Sequence, residues 1–159
     1  MTRAAVITVS DRSAEGSRPD ASGPVAVAAL REAGFDCANA VVIADGADSV
    51  ERALTAEVVA GVKLIVTTGG TGVSPRDQTP EGTARVVTRQ VPGIAEELRR
   101  RGAAAKPAGM LTRGVAGVVD PHGALVVNLP GSPGGVADGM PVVLSVARHV
   151  LDQLGGGDH

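Results

Sequence analysis

The fold prediction rests on one stretch of the chain, Val62-Lys63-Leu64-Ile65-Val66-Thr67-Thr68-Gly69-Gly70-Thr71-Gly72. Residues 62–67 are largely aliphatic and β-branched, which is typical of a strand buried on both faces of a sheet. The glycine-rich turn leads to Thr79-Pro80-Glu81, where a candidate cap, a proline and an acidic residue predict the start of a helix. The order strand, loop, helix is the repeating unit of an α/β domain.

Apolar runs alternate with helical patterns along the rest of the chain, which extends the α/β prediction to the whole sequence. Further strands are predicted over residues 4–9, 36–43 and 124–129, and within 111–119. Further helices are predicted after the candidate caps Ser22, Asp48 and Ser132, and over residues 94–101. No repeat or linker divides the chain, so residues 1–154 are predicted to form one domain and residues 155–159 a flexible tail.

The composition excludes several classes of protein. The 159 residues carry a formal net charge of -2 and Phe35 is the only aromatic residue, so there is neither a strongly basic surface nor an aromatic platform for nucleic acid. Cys37 is the only cysteine, which excludes an internal disulfide and favours a reducing compartment. No run approaches the roughly 18 apolar residues of a membrane helix. We therefore expect a cytoplasmic protein that binds neither nucleic acid nor membrane.

The loop after the third predicted strand is the strongest candidate site. Gly69, Gly70 and Gly72 free the backbone to turn several N–H groups toward one anion, and Thr68 and Thr71 add hydroxyl donors. The loop lacks the Gly-Lys-Ser/Thr ending of a P-loop and the third glycine of a dinucleotide-binding fingerprint. The glycines thus indicate an anion without specifying a nucleotide, and a merely tight turn is the alternative interpretation.

Two aspartates and an arginine near this loop suggest phosphate chemistry with a divalent cation. Arg76 can pair with a phosphate in fork geometry, and Asp77 beside a phosphate requires a cation such as Mg²⁺ between them. Asp45 follows the second predicted strand, and if that strand neighbours the third in a parallel sheet, Asp45 and Asp77 face one cleft. From the local sequence alone, helix capping or a surface ion pair explains Asp77 equally well, and a simple turn residue is the favoured interpretation of Asp45.

Two further segments follow predicted strands and are expected at the same edge of the sheet. They are Ser10-Asp11-Arg12 and Asn128-Leu129-Pro130-Gly131-Ser132-Pro133. Ser132 heads a long predicted helix, whose N-terminal N–H groups and dipole favour an anion. A plain helix cap is the alternative for Ser132, and the two roles are compatible.

These motifs, in this order, resemble the molybdopterin adenylyltransferase family of molybdenum-cofactor biosynthesis. The resemblance rests on Val9-Ser10-Asp11-Arg12, on residues 67–72 with Arg76-Asp77-Gln78-Thr79-Pro80-Glu81, on Pro92-Gly93 with Glu96, and on residues 128–133. It covers nearly the whole chain, and the Gly-Gly-Thr-Gly loop followed by Arg-Asp-x-Thr-Pro is its most specific part. One departure is Ile94, which stands where the family often has phenylalanine and removes any ring contact made there.

The resemblance implies a three-layer α/β/α sandwich around a mostly parallel sheet, assembled as a homotrimer. It implies transfer of AMP from Mg-ATP to the terminal phosphate of molybdopterin, release of pyrophosphate, and hand-off of the product to the molybdate-insertion enzyme. Asp45 and Asp77 match the two important aspartates of the family, as catalytic residues and Mg²⁺ ligands. Glu96 and the loop residues given above match its substrate-binding motifs. A carrier or scaffold that binds molybdopterin without adenylylating it is the alternative function.

Overall fold

The structure is a computed structural model that describes residues 1–158. The sheet within those residues has seven strands. They are β1 (Arg3–Val9), β2 (Asp36–Cys37), β3 (Val41–Ile43), β4 (Leu64–Thr68), β5 (Arg89–Gln90), β6 (Ala116–Val119) and β7 (Ala124–Leu129). The helices are α1 (Asp11–Glu15), α2 (Gly23–Glu32), α3 (Ala47–Val59), α4 (Thr79–Ala84), α5 (Pro92–Ala105) and α6 (Pro133–Leu154), with a 3₁₀ helix over Pro107–Leu111.

Most of the sheet is parallel, as predicted. Strand β1 pairs in parallel with β2 and β3 on one side and with β4 on the other, and β4 pairs in parallel with β7. Strand β6 runs antiparallel to both β7 and β5 at the far edge. The carboxyl ends of β1, β3, β4 and β7 therefore lie along one edge of the sheet.

Successive side chains of the central strands pack on opposite faces of the sheet. Leu64 and Val66 belong to a core shared with α2, α5 and α6, whereas Ile65 belongs to a second core shared with α3. All three side chains have no exposed surface. Helices on both faces confirm the three-layer α/β/α sandwich and explain why the strand reads as a continuous apolar run.

Several elements differ from the sequence prediction. The strand predicted over residues 36–43 is two short strands, because the chain leaves β1 after Cys37 and rejoins it at Val41. Helix α1 has five residues and β5 has two, lengths too short to show a period in the sequence. The helix predicted over residues 94–101 begins earlier, because Pro92 occupies its first turn. It also ends later, at Ala105.

The predicted helix caps are confirmed at one of four positions. Thr79 is the first residue of α4, and its hydroxyl donates to the main-chain oxygen of Gly69. Ser22 makes no capping bond, and Asp20 instead accepts the first N–H of α2 at 2.9 Å. Asp48 lies within the first turn of α3 and not before it. Ser132 caps α6, because its hydroxyl accepts the N–H three residues further on at 3.1 Å.

The C-terminal glycines continue from the last turn of α6. The N–H groups of Gly155, Gly156 and Gly157 donate to main-chain carbonyls of that turn. His159, the final residue of the predicted tail, lies outside the described residues, and the flexibility of the tail stays a prediction. No helix within residues 1–158 combines the length and apolar character needed to cross a bilayer.

Candidate functional site

Four loops meet at the carboxyl edge of the sheet and enclose a cleft of about 620 Å³. Ser10 follows β1, Asp45 follows β3, residues 69–70 follow β4 and residues 131–133 follow β7, and all of them line the cleft together with Asp77. The predicted convergence of these segments is therefore confirmed. Parallel pairing is the reason, because it brings the carboxyl ends of the strands together.

One step of the sequence prediction is wrong, since the second and third predicted strands are not neighbours. Strand β1 lies between β3 and β4. Asp45 thus reaches the cleft from the turn after β3, and Asp77 reaches it from the loop between β4 and α4. The two carboxylates share the cleft although their parent strands do not pair.

The loop after β4 requires glycine at two positions. Gly69 has φ +96°, and a Cβ there would lie 2.3 Å from the main-chain oxygen of Val9. Gly70 has φ +68°, and a Cβ there would lie 2.2 Å from the hydroxyl of Thr79 and 3.1 Å from Oδ1 of Asp45. Both the conformation and the close approach exclude other side chains. The main chain and the Asp45 carboxylate consequently remain uncovered at this point of the cleft.

Asp45 is held by a reciprocal pair of hydrogen bonds with Asp11. The N–H of Asp11 donates to Oδ2 of Asp45 at 2.9 Å, and the N–H of Asp45 donates to Oδ1 of Asp11 at 3.0 Å. Burial raises the pKa of the Asp45 carboxyl; the hydrogen bond from Asp11 opposes this, and the negative charges of Asp11 and Asp77 add to it. A carboxylate in these surroundings gains from a bound cation.

Arg76 does not enter the cleft as the phosphate ligand that its sequence position suggests. Its Nε and Nη2 donate to the Asp11 carboxylate at 3.0 and 3.1 Å, and Nη2 also donates to the main-chain oxygen of Asp45 at 2.9 Å. The hydrogen bonds between the two side chains lower the pKa of Asp11 and raise the pKa of Arg76. The guanidinium fork is thus used inside the protein, where it fixes the Asp11–Asp45 pair.

Asp77 is fixed by its own loop and by an arginine that the sequence prediction missed. Its Oδ2 accepts from the N–H of Ser74 at 3.2 Å, and a Cβ on Gly72 would lie 2.8 Å from that oxygen. Arg113 donates to the main-chain oxygens of Gly72 at 2.8 Å and Asp77 at 2.7 Å, and it forms an ion pair with Glu81. Arg113 therefore ties the whole loop to the start of α4.

Three polar side chains predicted to contact substrate make their hydrogen bonds within the protein. The Thr68 hydroxyl lies 3.0 Å from that of Ser22, and the Thr71 hydroxyl accepts from that of Thr112 at 3.1 Å. The amide of Asn128 accepts a main-chain N–H at 3.1 Å and donates to two threonine hydroxyls at 2.9 and 3.0 Å. All three side chains are buried. They shape the loops of the site, and their contact with the substrate stays a prediction.

Glu96 is exposed on α5 and does not line the cleft. Helix α5 borders a second, mostly apolar cavity of about 340 Å³, between the 3₁₀ helix and the start of α6. Gly102 and Gly109 allow the 3₁₀ helix to approach α5, since a Cβ on Gly109 would lie 2.2 Å from the main chain of Gly102. Pro130 lines this cavity, and Ser132 lines both the cavity and the cleft, so the two spaces meet at the start of α6.

The segment before α2 supplies cleft residues that the sequence prediction missed. Arg18 and Asp20 line the cleft beside Thr8 of β1. The Asp20 carboxylate accepts from the Thr8 hydroxyl at 2.8 Å and from the N–H of Gly23 at 2.9 Å, which fastens the segment to the sheet. The sequence signal for this segment is Asp20, two residues before Ser22. Serine is also a preferred capping residue, so the sequence pattern favours Ser22 as the cap instead of Asp20.

Asp45 and Asp77, two of the three aspartates that line the cleft, are the candidate ligands of a metal ion. Within residues 1–158, no three histidine, cysteine, aspartate or glutamate side chains come together as a metal site. Magnesium in nucleotide enzymes is held by one or two carboxylates, with phosphate oxygens and water as the other ligands. Asp45 and Asp77 fit the carboxylate part of such a ligand set.

Comparison with known proteins identifies relatives over the full length of the fold. A family model described as a probable molybdopterin binding domain matches residues 5–149. The chain is 34% identical over 149 residues to the molybdopterin adenylyltransferase of Pyrococcus furiosus, a match that covers 92% of this chain and 87% of that protein. The structure of the molybdopterin biosynthesis Mog protein from Mycobacterium ulcerans superimposes with a TM-score of 0.90 and 45% identity, covering 97% of this chain and 99% of that one.

Some relatives are longer proteins. The chain is 38% identical over 156 residues to the molybdenum cofactor biosynthesis bifunctional protein of Synechococcus elongatus, covering 98% of this chain and 48% of that protein. A protein of the same description from Chlorobaculum tepidum is 36% identical, and 50% of it is covered. The chain thus spans about half the length of these curated relatives.

Proposed function

This chain belongs to the molybdopterin-binding domain family, and we propose that it is a molybdopterin adenylyltransferase of molybdenum-cofactor biosynthesis. An oxygen of the terminal phosphate of molybdopterin attacks the α-phosphorus of Mg-ATP, the bond between the α- and β-phosphates breaks, and pyrophosphate leaves. The observation that carries the proposal is the pair of carboxylates, Asp45 and Asp77, that line one cleft beside the uncovered main chain of Gly69 and Gly70.

The reaction joins two anionic substrates, so the site has to offset their mutual repulsion. Asp45 and Asp77 would hold Mg²⁺, which would neutralise charge on the ATP phosphates and so favour departure of pyrophosphate. Gly69 and Gly70 let phosphate oxygens approach the main chain closely. The N-terminus of α6 lies at the cleft through Ser132 and Pro133, and its N–H groups and dipole favour anions.

Asp11 and Arg76 position Asp45 in this proposal and do not contact the substrate. Arg76 fixes the Asp11 carboxylate, and Asp11 fixes the main chain and carboxylate of Asp45. A phosphate nucleophile is already ionised at neutral pH, so the site requires orientation of charges more than a proton acceptor.

The apolar cavity beside α6 is proposed to hold the ring system of one substrate. Aliphatic side chains and glycine backbone make up most of its lining, including Ala95, Leu98 and Gly139. It meets the cleft at Ser132. A flat ring placed there directs its attached phosphate toward the two carboxylates.

The names of the relatives support both the reaction and its place in a sequence of steps. The molybdopterin adenylyltransferases of Pyrococcus furiosus and Helicobacter pylori are 34% and 31% identical to this chain. The bifunctional relatives join an equivalent region to a second one of similar length, which supports hand-off of the adenylylated pterin to a molybdate-inserting protein. We also propose the homotrimer that the family resemblance implies and the cytoplasmic location that the single cysteine favours, and sedimentation of the purified protein tests the assembly.

Release of pyrophosphate from ATP, in the presence of molybdopterin and Mg²⁺, tests the proposed reaction. The wild type is expected to release pyrophosphate only when all three are present. Asp45→Asn and Asp77→Asn should each lower the rate by about 100-fold, since each removes one charge opposite the phosphates. Asp48→Asn is the matched control, because Asp48 lies on α3 outside the cleft and is paired with Arg85.

One result would count against this function, and another would count against the roles given to the two aspartates. If the wild type binds molybdopterin but releases no pyrophosphate, the protein is a carrier. If both cleft variants keep the wild-type rate while pyrophosphate is released, the reaction stands and the assignment of the two aspartates is wrong.

A further inference from the structure

Most of the charged side chains that line the cleft are acidic. Within residues 1–158 they are three aspartates, Asp20, Asp45 and Asp77, and a single cation, Arg18. Arg76, the arginine that the sequence favours as a phosphate ligand, is occupied by Asp11. The cleft therefore has one cationic side chain of its own, contributed by a segment that carries none of the recognised motifs.

The main chain on both sides of Arg18 is fastened. The N–H groups of Ser17 and Arg18 donate to the main-chain oxygen of Arg12 at 3.0 and 3.3 Å, and the Ser17 hydroxyl donates to the same oxygen at 3.1 Å. On the other side, Pro19 restricts the residue before it to extended conformations, and Asp20 is bonded to β1 and to the start of α2. Arg18 thus projects from a segment held at both ends.

The guanidinium of Arg18 has no partner within the described part of the chain. It forms no ion pair or side-chain hydrogen bond there, although Asp20 is two residues away. The oxygens of Asp20 accept from Thr8 and Gly23 instead. By contrast, Arg113, which contacts the loop after β4, is paired with Glu81. Arg18 is therefore the arginine of the site whose guanidinium N–H groups remain available to a ligand.

We propose that Arg18 binds a phosphate group of the substrates in this cleft, as the cationic side chain that complements the Asp45 and Asp77 pair. The proposal rests on the proposed function for the identity of the substrates. A planar guanidinium offers two parallel N–H donors to phosphate oxygens, and its charge offsets the negative charge that two phosphorylated substrates bring to an acidic cleft. ATP and molybdopterin both supply such a group, and separate binding measurements distinguish them.

Calorimetric binding to the purified protein tests the proposal with four proteins: the wild type, Arg18→Ala, Arg18→Lys and the control Arg52→Ala. Arg52 is exposed on α3 and lies outside the cleft. The probes are α,β-methylene-ATP with Mg²⁺, which resists adenylyl transfer, and molybdopterin without nucleotide. Arg18→Ala should raise the Kd of at least one probe by about tenfold, the scale of a charged hydrogen bond exposed in part to water.

The pattern of change identifies the phosphate. A rise confined to the nucleotide analogue assigns Arg18 to the triphosphate, and a rise confined to molybdopterin assigns it to the pterin phosphate. Arg18→Lys should weaken binding less than Arg18→Ala, because the charge remains and the fork is lost. Arg52→Ala should stay within about twofold of the wild type, as surface substitutions usually do.

Failure of this proposal differs from failure of the proposed function. If the wild type binds both probes and Arg18→Ala binds them equally well, the role of Arg18 is overturned while the function stands. If the wild type binds the probes but releases no pyrophosphate from ATP and molybdopterin, the enzyme function fails and the binding data still decide the role of Arg18. If the wild type binds neither probe, both proposals are wrong.

Discussion

The N–H of Asp11 donates to the carboxylate of Asp45, and the N–H of Asp45 donates back to the carboxylate of Asp11, at 2.9 and 3.0 Å. These two residues are 34 positions apart and follow different strands, β1 and β3. The pair joins two loops at the carboxyl edge of the sheet, and Arg76 bonds to both residues. Asp45 therefore reaches the cleft in an orientation that another residue fixes.

Substitution of Asp11 tests this positioning. Asp11→Ala removes the acceptor for the N–H of Asp45 and the partner of Arg76, so kcat for pyrophosphate release should fall by about 10- to 100-fold with little change in the KM for ATP. Asp11→Asn keeps an acceptor for Asp45 and should lose less. Steady-state kinetics measure both variants. Equal rates for Asp11→Ala and the wild type would show that Asp45 does not depend on the Asp11 carboxylate.

Stability as a function of pH tests the surroundings of Asp45. Burial, opposed by the Asp11 hydrogen bond and aided by the charges of Asp11 and Asp77, raises the pKa of Asp45 above 3.8 in the folded protein. The folded state then holds this proton more tightly than the unfolded state, so ionisation of Asp45 lowers stability as the pH rises above 3.8. Asparagine resembles the protonated form and avoids that loss.

Asp45→Asn should accordingly have a higher Tm than the wild type at neutral pH without Mg²⁺, although it is less active. The difference should disappear below the unfolded-state pKa of 3.8, where both side chains are neutral. Thermal unfolding followed by circular dichroism, at pH values on both sides of 3.8, provides the measurement. A lower Tm for Asp45→Asn at neutral pH would contradict the raised pKa.

Gly69 tests the requirement for glycine in the loop after β4. Gly69→Ala places a Cβ 2.3 Å from the main-chain oxygen of Val9 at φ +96°, so the free energy of unfolding should fall by about 2–4 kcal/mol. Gly16→Ala has a positive φ of +81° with no atom near the new Cβ, and it isolates the cost of conformation. Gly134→Ala has neither problem and should be close to neutral. Urea unfolding of all three variants separates clash from strain, and equal losses at positions 69 and 16 would exclude the clash.

Asn128 tests the buried hydrogen bonds beneath the cleft. Asn128→Ala leaves a main-chain N–H and the hydroxyls of Thr67 and Thr83 without their partner, and should lower the free energy of unfolding by about 2–4 kcal/mol. Asn39→Ala removes an exposed asparagine bonded to Arg31 and should cost less than about 1 kcal/mol. Urea unfolding measures both losses. Similar losses for the two variants would show that the buried hydrogen bonds of the Asn128 amide do not stabilise the fold more than an exposed one does.

Much of the fold could be predicted because its strands leave a local signal. Residues 64–66 are buried on both faces of the sheet, so every side chain is aliphatic and the run is unmistakable. The shared edge follows from the same reasoning, and it correctly brought Asp45, Asp77 and Ser132 to one cleft. Strands β2 and β5 have two residues each, which is too short to show a hydrophobic period in the sequence.

The contacts of the site side chains could not be predicted, because they depend on distant parts of the chain. Arg76 is 65 residues from Asp11, and Arg113 is 36 residues from Asp77. From sequence, an arginine beside a glycine-rich loop looks available for phosphate, and only the packed structure shows which carboxylate already holds it. Arg18 could not be predicted for the same reason, because only the folded segment between α1 and α2 brings it to the cleft.

Transfer of label from ATP to molybdopterin measures the proposed adenylyl transfer itself. With Mg²⁺ and purified wild-type protein, a phosphorus label at the α-position of ATP should appear in an adenylylated pterin, and a label at the γ-position should appear in an equal amount of pyrophosphate. Asp45→Asn and Asp77→Asn should transfer neither label at a comparable rate. Molybdopterin that is bound but recovered without label, while both labels remain in ATP, would show that the protein does not transfer AMP.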